Sequence, residues 1–400
     1  MKGFHKKKTQ LAAIAVSESG GMKTIELVYF DAGGGHRSAA NALCEVARRE
    51  QRPWDMQMMN LQELLDEIDV FRKITGIRLE DVYNLMLRRG WTLGSTEMLV
   101  PMHAIIRLIH PQQVKLLARY WAGKKLDMVV SVVPNFNRAL FQGMQRSLPG
   151  VPFVTILTDM ADYPPNFWLE RQGPQYVICG TARAREQAIA LGHAPERVFQ
   201  VSGMILNPRY YEIPPVDRSG ERRKLGLNPD LPTALMMFGG AGSAKMLDIA
   251  RRLNESDMEL QIIAICGKNQ KLETALRALP RRLPMHIVGF TSEVPRFMQL
   301  ADFFIGKPGP GSISEAVAMG LPVIVETNAW TLPQERFHPI WVEENGLGIS
   351  LRNFSKGIVD ATRRMLNPVE HTGFVGRVSK LQNRAIFEIP QILDGILNTP

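Results

Sequence analysis

A glycine-rich segment with a single histidine follows the hydrophobic run at 25–30. It comprises Asp31-Ala32-Gly33-Gly34-Gly35-His36-Arg37-Ser38. Glycines let a bulky ligand approach the backbone, and free N–H groups at the start of a following helix attract an anion or an oxygen acceptor. The same helix end disfavours an imidazolium, so His36 is expected to be neutral near pH 7 and able to accept a proton from a hydroxyl group. A histidine in an ordinary tight turn explains the spacing equally well.

A second cluster of glycines and prolines lies between an apolar run and a stretch with helical character. It comprises Gly306-Lys307-Pro308-Gly309-Pro310-Gly311-Ser312-Ile313-Ser314-Glu315-Ala316. In one interpretation Ser312 caps the helix and Glu315, three residues on, completes a capping box. In the other, the first-turn amides and Lys307 hold a diphosphate, and Glu315 accepts hydrogen bonds from a vicinal diol such as a ribose. The glycine density exceeds what a cap requires and favours the ligand interpretation.

Two shorter segments add polar groups after other apolar runs. Thr158-Asp159 lies at the edge where open α/β sheets bind their ligands. Asp159 can orient His36, act as a second base or form a turn. Gln334 and Glu335, in the segment Thr331-Leu332-Pro333-Gln334-Glu335, are candidates for hydrogen bonds to sugar hydroxyls, although such a segment alone is more often a surface turn.

Alternating strand and helix patterns are predicted to position these groups. Strands are expected at 25–30, 56–60, 128–133, 153–157 and 176–179, and again at 233–238, 260–265, 286–289, 303–306 and 322–326, with helices such as 38–50 and 138–147 between them. Pro208 to Pro215 and the charged stretch that follows predict a linker at 207–224. The sequence therefore predicts an α/β protein with two Rossmann-like, doubly wound domains, 23–206 and 225–400, facing one cleft.

The composition excludes several classes of protein. The chain has 400 residues, of which 45% are hydrophobic and 22% charged, and no apolar run approaches the roughly 18 residues of a membrane-spanning helix. Cys44, Cys179 and Cys266 show no disulfide or zinc-site spacing, which fits a reducing cytosol, and no metal site is expected. The first glycine loop lacks the GxGxxG pattern and Asn60 ends the second strand, which argues against a dinucleotide dehydrogenase. The net charge of +9 favours an acidic partner.

Two segments have ambiguous patterns. Residues 1–22 carry the run Lys6, Lys7 and Lys8 and a short apolar stretch, and are expected to be a disordered leader or a mis-called start. Residues 98–121 place apolar side chains at helical spacing beside basic and aromatic residues. A membrane-surface helix and a core-facing helix both explain this stripe, and the core-facing interpretation is preferred.

These segments together resemble a known family. The two glycine clusters, with Leu157-Thr158-Asp159 and Gly289-Phe290-Thr291, are similar to the monogalactosyldiacylglycerol synthases. With the processive diacylglycerol glucosyltransferases and the peptidoglycan N-acetylglucosaminyltransferase, these form glycosyltransferase family 28. The resemblance runs from about Ile25 to the C-terminus.

The resemblance implies a GT-B fold and inverting, metal-independent transfer from a UDP-sugar, with no cofactor. It implies that His36 is the base or an acceptor-side residue and that Gly33, Gly34 and Gly35 form the acceptor-side loop. Asp159 is the second catalytic candidate, beside His36. The implied nucleotide-binding residues are Gly239, Gly240, Phe290, Thr291, Lys307, Gly309, Pro310, Gly311, Ser312 and Glu315. Of these, Phe290 would lie near the uracil and Glu315 on the ribose. Gln334 and Glu335 would contact the donor sugar.

The chain departs from the family pattern in two places. The plant enzymes resemble Asp-Leu-Ser-Thr-Cys-His-Pro-Thr-Trp where this chain has Asp159-Met160-Ala161-Asp162-Tyr163-Pro164-Pro165-Asn166-Phe167, without the histidine. This difference bears on the identity of the acceptor. Ile205-Leu206-Asn207-Pro208 replaces the usual Pro-Val-Arg-Pro, so Arg209 either substitutes for the phosphate-side arginine or is solvated.

Residues and resemblance together predict an inverting glycosyltransferase that moves galactose or glucose from UDP-galactose or UDP-glucose to diacylglycerol or a related lipid. The expected location is the cytoplasmic face of a membrane, held peripherally by its anionic surface, with no nucleic-acid partner. A UDP-sugar 2-epimerase shares the architecture and needs no lipid. A nucleotide-sugar-binding regulatory protein is the non-enzymatic alternative, motivated by the altered segment after Asp159.

Overall fold

The computed structural model describes residues 21–31, 34–68, 106–171, 173–280, 282–329 and 331–399. The first of its two sheets is six-stranded and parallel throughout, in the order β2-β1-β3-β4-β5-β6. Its strands are β1 Lys23–Tyr29, β2 Trp54–Asn60, β3 Met128–Ser131, β4 Phe153–Ile156, β5 Tyr176–Cys179 and β6 Val198–Gln200. The chain moves to opposite sides of β1 to form β2 and β3, so the order reverses between β1 and β3, where Val28 pairs with Ser131.

Helices cover both faces of this sheet, as the continuous apolar runs of its central strands require. Those described are α1 Gly35–Arg49, α2 Leu61–Leu65, α3 His110–Trp121, α4 Asn137–Ser147 and α5 Ala182–Ala190, with a 3₁₀ turn at Pro195–Arg197. Ala40, Leu43 and Val46 recur along one face of α1 and pack on Ile25 and Leu27 of β1. This packing fixes the start of α1 above the end of β1.

The second sheet is also six-stranded and parallel, in the order β12-β11-β10-β7-β8-β9. Its strands are β7 Thr233–Met237, β8 Gln261–Ile265, β9 Met285–Val288, β10 Phe303–Gly306, β11 Val323–Glu326 and β12 Gly348–Leu351. The order reverses between β7 and β10, where Gly306 pairs with Met237. In such sheets ligands bind beyond the carboxyl ends of the strands, at the reversal.

The helices of this half begin in the segment between the sheets. They are α6 Arg218–Lys224, α7 Lys245–Glu255, α8 Gln270–Arg277, α9 Val294–Leu300, α10 Pro310–Ala318, α11 Phe337–Glu344, α12 Phe354–Leu366, α13 Pro368–Val378 and α14 Ala385–Leu397, with 3₁₀ turns at Pro208–Tyr210 and Pro333–Glu335. The predicted fold class, two Rossmann-like domains, is confirmed. Two edge strands, β6 and β12, were not expected; each includes residues that are only partly buried or exposed, so neither gives the continuous apolar run of a central strand.

The predicted domain boundaries need two corrections. Helix α14 lies within the predicted domain 225–400, but its apolar face packs on the first sheet, where Ile386, Ile389 and Leu393 join the core of β1. Helix α6 lies within the predicted linker 207–224, yet it belongs to the second domain, because the buried Arg222 donates to the Leu300 carbonyl and to Asp302. The chain therefore crosses between the domains twice.

Of the apolar stripe predicted at 98–121, the structure describes Ile106 and Ile109, which are half-buried, while the helix that follows them faces the core. Helix α3 buries Val114, Leu117 and Trp121 against α4 and the first sheet. Residues 98–105 lie outside the described residues. Residues 1–20, which make up most of the predicted leader, lie outside them as well. Among the described helices, we find none with the length and apolar character needed to cross a lipid bilayer.

Candidate active site

In each sheet, the loop that follows the first strand contains a glycine and lies at the reversal point of the strand order. Gly34 precedes α1 with φ of 79°, and Gly239 follows β7 with φ of 73°, a left-handed backbone that favours glycine at both positions. The Gly34 turn directs the chain from β1 into α1 and places His36 in the first turn of that helix. Gly33 lies outside the described residues. Each domain thus brings a short-turn loop to the edge of its sheet that forms a ligand crevice.

The His36 ring is half-buried and contacts the first domain through polar and aromatic groups. Its Nδ1 atom is 3.1 Å from the Thr158 hydroxyl, and its centroid is 5.9 Å from the Trp168 ring. Burial lowers the pKa of His36 from 6.5 to about 4, while the Val132 backbone acts in the opposite direction. The ring is therefore neutral near pH 7, as the sequence predicts, and burial adds to the helix-end effect on which that prediction rested.

Asp159 is buried beside this histidine but has different partners. Its Oδ2 atom accepts a 2.9 Å hydrogen bond from Trp168 Nε1, and its Oδ1 atom is 3.6 Å from His338 Nε2. The polar contact to His36 comes from Thr158, so the suggested orientation of His36 by Asp159 needs correction. Burial raises the pKa of Asp159 from 3.8 to about 7; nearby Glu335 adds to the rise, while Trp168 and Lys307 oppose it.

The segment after Asp159, which departs from the family pattern, forms a structured loop. The Asp162 carboxylate accepts hydrogen bonds from the backbone N–H groups of Asn166 and Trp168, at 2.9 and 2.6 Å. Asn137 also donates to the Trp168 carbonyl at 3.0 Å. These bonds hold Trp168 between His36 and Asp159, a role for which the sequence carried no recognisable signal.

The second glycine cluster forms the start of α10. Gly309 is the residue before the helix and makes no side-chain cap, so the Ser312 capping-box interpretation is wrong: the helix begins at Pro310 and Ser312 lies inside its first turn. Pro310 has no N–H group, and the Ile313 N–H bonds to the Gly309 carbonyl. The Gly311 and Ser312 amides are left at the helix N-terminus, where first-turn amides attract an anion.

Lys307 stands beside this helix end. Its Nζ atom is 3.1 Å from Glu335 Oε1 in the 3₁₀ turn, and a side chain at Gly309 would meet the Lys307 Cε atom at 3.2 Å. Gly239 adjoins the same lysine, because a Cβ atom built there lies 3.5 Å from Lys307 Cε. The glycines at 239 and 309 therefore leave space around a lysine and two free amides, which is a cradle suited to a diphosphate.

Glu315 is half-buried one turn further along α10. Burial raises its pKa from 4.5 to about 7, and Tyr210 and Arg209 oppose the rise. Both belong to the 3₁₀ turn between the domains; Arg209 also donates to the Ser292 carbonyl at 3.2 Å and lies over the Tyr210 ring. Arg209 is thus held near Glu315 and next to the loop that carries Thr291.

The remaining predicted residues lie around the same edge of the second sheet. Phe290 is 67% exposed, with Lys268 Nζ 5.2 Å from its ring, and the Thr291 hydroxyl accepts from the Glu293 N–H. Lys268 itself donates its backbone N–H to the Gly240 carbonyl. An exposed aromatic ring beside a cation suits stacking of a planar base. Gln334 is half-buried in the same 3₁₀ turn as Glu335.

His338 joins the two halves and was not singled out from the sequence. This buried side chain on α11 has its Nδ1 atom 2.7 Å from the Pro308 carbonyl of the second domain. Its Nε2 atom is 3.4 Å from the Met160 backbone nitrogen of the first. A lone histidine before a proline carries no motif, so only the fold reveals this position.

Three solved structures share this architecture. MurG of Acinetobacter baumannii matches with a TM-score of 0.60 and 13% identity, covering 93% of this chain and 99% of its own. Anabaena HepE in complex with UDP-glucose matches with a TM-score of 0.52 and 13% identity, over 94% and 99%. A UDP-GlcNAc 2-epimerase from Neisseria meningitidis, bound to UDP-GlcNAc, matches with a TM-score of 0.55 and 11% identity, over 93% and 100%. These likenesses establish the GT-B fold, and they do not separate transfer from epimerisation.

Sequence comparison supplies that distinction. Residues 234–329 match the glycosyltransferase family 28 C-terminal domain. A probable chloroplastic monogalactosyldiacylglycerol synthase 2 of Oryza sativa subsp. japonica is 30% identical over 407 aligned positions, covering 94% of this chain and 81% of the relative. The molecule is therefore a GT-B glycosyltransferase. More particularly, the chain belongs to the monogalactosyldiacylglycerol synthase family within glycosyltransferase family 28.

Proposed function

We propose that the protein transfers a hexose, galactose or glucose, from a UDP-sugar to a hydroxyl group of diacylglycerol or a related lipid, with inversion at the anomeric carbon. The rice relative is named for synthesis of monogalactosyldiacylglycerol, and Anabaena HepE was crystallised with UDP-glucose. Membership in the family supports hexosyl transfer, and these names supply the donor and acceptor classes of the proposal.

One observation carries the proposal: candidate groups from both domains meet at one gap. Asp159 of the first domain lies 3.6 Å from His338 of the second, and His338 contacts Pro308 of the diphosphate cradle. The charges on Lys307 and Glu335 are near enough to influence the pKa of Asp159. An acceptor held by the first domain would therefore face a donor held by the second.

The second domain would hold the UDP-sugar. In this proposal the Gly311 and Ser312 amides and Lys307 bind the diphosphate, and Glu315 accepts hydrogen bonds from the ribose hydroxyls. The exposed Phe290 ring stacks on the uracil beside Thr291, the backbone at Gly239 and Gly240 lets the nucleotide approach closely, and Gln334 with Glu335 binds the sugar. Because a helix end and a lysine can offset the charge of the leaving UDP, we propose that transfer needs neither metal nor cofactor.

The first domain would activate the acceptor. His36, neutral at physiological pH, removes the proton from the lipid hydroxyl as the hydroxyl oxygen attacks the anomeric carbon. The new carbon–oxygen bond forms as the bond to the UDP β-phosphate oxygen breaks, and UDP leaves with the electron pair. Attack from the face opposite UDP converts the α-linked donor to a β-glycoside. Asp159, a second base in the sequence interpretation, would still be partly protonated near pH 7, because burial raises its pKa to about 7.

We further propose that the protein works peripherally at the cytoplasmic face of a membrane. UDP-sugars are water-soluble and diacylglycerol is a membrane lipid, so the two substrates meet at such a surface. The net charge of +9 favours an anionic lipid surface over a neutral one. No nucleic-acid partner is proposed.

The test is product analysis with and without lipid. Purified protein is incubated with UDP-galactose or UDP-glucose, in the presence or absence of dioleoylglycerol dispersed in phosphatidylglycerol vesicles. The expected result is equal amounts of UDP and a hexosyl-diacylglycerol, formed only with the lipid present. A matched His36→Ala protein distinguishes enzymatic product from contamination.

Each alternative predicts a different result in the same experiment. Conversion of the added UDP-sugar to its 2-epimer without lipid would replace transfer by epimerisation, to which the fold is also suited. Binding of UDP-sugar without either reaction would support the regulatory alternative. Either result would overturn the proposal.

A further inference from the structure

His338 has both ring nitrogens engaged, each with a different domain. A carbonyl oxygen can only accept, so the 2.7 Å contact to Pro308 requires the proton on Nδ1. In the neutral ring Nε2 then carries a lone pair, which accepts the Met160 N–H at 3.4 Å. One buried side chain thus bonds the backbone before the diphosphate cradle and the backbone after Asp159.

Both backbone contacts lie next to groups that the reaction would use. Pro308 separates Lys307 from Gly309, and the Gly309 N–H turns back to the Lys307 carbonyl at 2.8 Å. The plane of the peptide that follows Pro308 therefore sets the approach of the chain to α10. Met160 adjoins Asp159, whose Oδ1 atom is 3.6 Å from Nε2.

We propose that His338 is a positioning residue for sugar transfer, its Nδ1–H fixing the diphosphate cradle and its Nε2 fixing the acceptor-side Asp159 loop. The inference rests on the proposed function and deepens it, because it assigns to a residue outside both predicted motifs the alignment of donor with acceptor. Alignment of two reactants contributes strongly to rate even when the aligning group touches neither.

Burial of His338 favours the neutral ring that this role needs. Burial lowers the pKa of His338; Glu335 opposes this effect, the Pro308 backbone contact opposes it too, and Lys307 adds to it. Asp159 faces the ring from the first domain and is itself shifted toward its neutral form. A neutral ring beside a carboxyl whose ionisation is disfavoured by burial limits the unpaired charge buried between the domains.

Two conservative substitutions separate the two contacts. Asparagine places an amide near the position of Nδ1, whereas glutamine reaches the position of Nε2. His338→Asn should keep UDP affinity within about threefold of wild type and lower kcat for lipid transfer about tenfold or more. His338→Gln should weaken UDP binding about tenfold and lower kcat less than His338→Asn does. The reason is that each variant loses one of the two hydrogen bonds and leaves one buried backbone group unpaired.

The matched control is His193, another buried histidine, whose Nε2 atom is 2.8 Å from the Glu170 carbonyl. His193→Gln and His193→Asn should change neither UDP affinity nor kcat beyond about twofold. If the two His338 variants lose UDP affinity and kcat in parallel, in proportion to their lowered Tm, the residue is merely structural and the proposal is overturned. If the Asn variant loses UDP affinity and the Gln variant keeps it, the assignment of the two nitrogens is overturned.

Two further measurements keep this test independent of the acceptor. Calorimetric titration with UDP needs no lipid, so the Nδ1 contact is tested even if diacylglycerol proves to be the wrong acceptor. The ¹⁵N shifts of His338 should show a protonated Nδ1 and an unprotonated Nε2 at pH 7. The opposite tautomer would overturn the proposal while leaving the proposed function intact.

Discussion

Replacing Asp159 by asparagine should stabilise the protein, and the gain should grow as the pH rises. The buried carboxyl has a pKa raised from 3.8 to about 7. Between these values the folded protein retains a proton that the unfolded chain has lost, so stability falls as the pH rises through this interval. Asparagine has nearly the same shape, can still accept from Trp168 Nε1 and never ionises, so the variant lacks this loss.

The size of the effect follows from the two pKa values. Linkage gives a stabilisation of Asp159→Asn relative to wild type of about 2 kcal/mol at pH 5 and about 4 kcal/mol at pH 8, as upper values. The increase between these pH values, about 2–3 kcal/mol, is the more secure quantity, because packing changes caused by the substitution cancel. At about 2–4 °C per kcal/mol for a domain of roughly 200 residues, the difference in Tm should widen by several degrees.

The assay is thermal unfolding of both proteins from pH 5 to pH 8, followed by circular dichroism. Asp127→Asn provides a control of opposite sign. The Thr24 N–H and Lys23 lie 2.8 and 3.1 Å from the Asp127 carboxylate and, against the effect of burial, lower its pKa. This variant should be less stable than wild type at neutral pH, and its deficit should disappear only at acid pH.

Two results would refute this reasoning. If Asp159→Asn is less stable than wild type at pH 8, the carboxyl is ionised and favourably paired in the folded protein. If the Tm difference does not change between pH 5 and pH 8, the carboxyl titrates normally and is not desolvated. In both cases the buried gap between the domains would be more polar than the structure indicates.

Three further substitutions test individual groups. His36→Ala should lower kcat by about 10²–10⁴ with UDP affinity unchanged in calorimetry, and a normal turnover would exclude the base role. Glu315→Gln should weaken UDP binding by about 1–3 kcal/mol at pH 8. Because the pKa of Glu315 is raised to about 7, wild-type affinity should increase from pH 6 to pH 8 while the variant's stays constant; equal affinities at pH 8 would contradict the ribose assignment. Gly309→Ala places a methyl group against Lys307 and should weaken UDP binding about tenfold with little change in Tm, whereas unaltered affinity would remove the diphosphate from this cradle.

The fold was predictable because its signals are local. Continuous apolar runs such as β7 and β10 read as buried parallel strands, and glycine after the first strand of each half marks the loops at the reversal points. The domain to which helix α14 belongs was not predicted, because the position of this helix depends on tertiary packing. Nothing in the sequence 385–397 distinguishes a helix that covers the first sheet from one that covers the second.

The site was predictable only where residues carry a motif. His36, Lys307 and Glu315 lie in glycine-rich segments that can be recognised as candidate ligand sites from the sequence alone. Trp168 contacts Asp159, 9 positions away in sequence. His338 contacts Met160, 178 positions away. Such contacts leave no spacing pattern, so only the folded chain reveals them.

The most direct test of the central claim is a crystal structure of the His36→Ala protein with UDP-galactose or UDP-glucose bound. We predict the diphosphate at the Gly311 and Ser312 amides beside Lys307, with the anomeric carbon facing the space that the His36 ring occupies in the wild type. A UDP-sugar bound elsewhere, or with its anomeric carbon turned away from the first domain, would contradict the claim that the two domains act on one substrate.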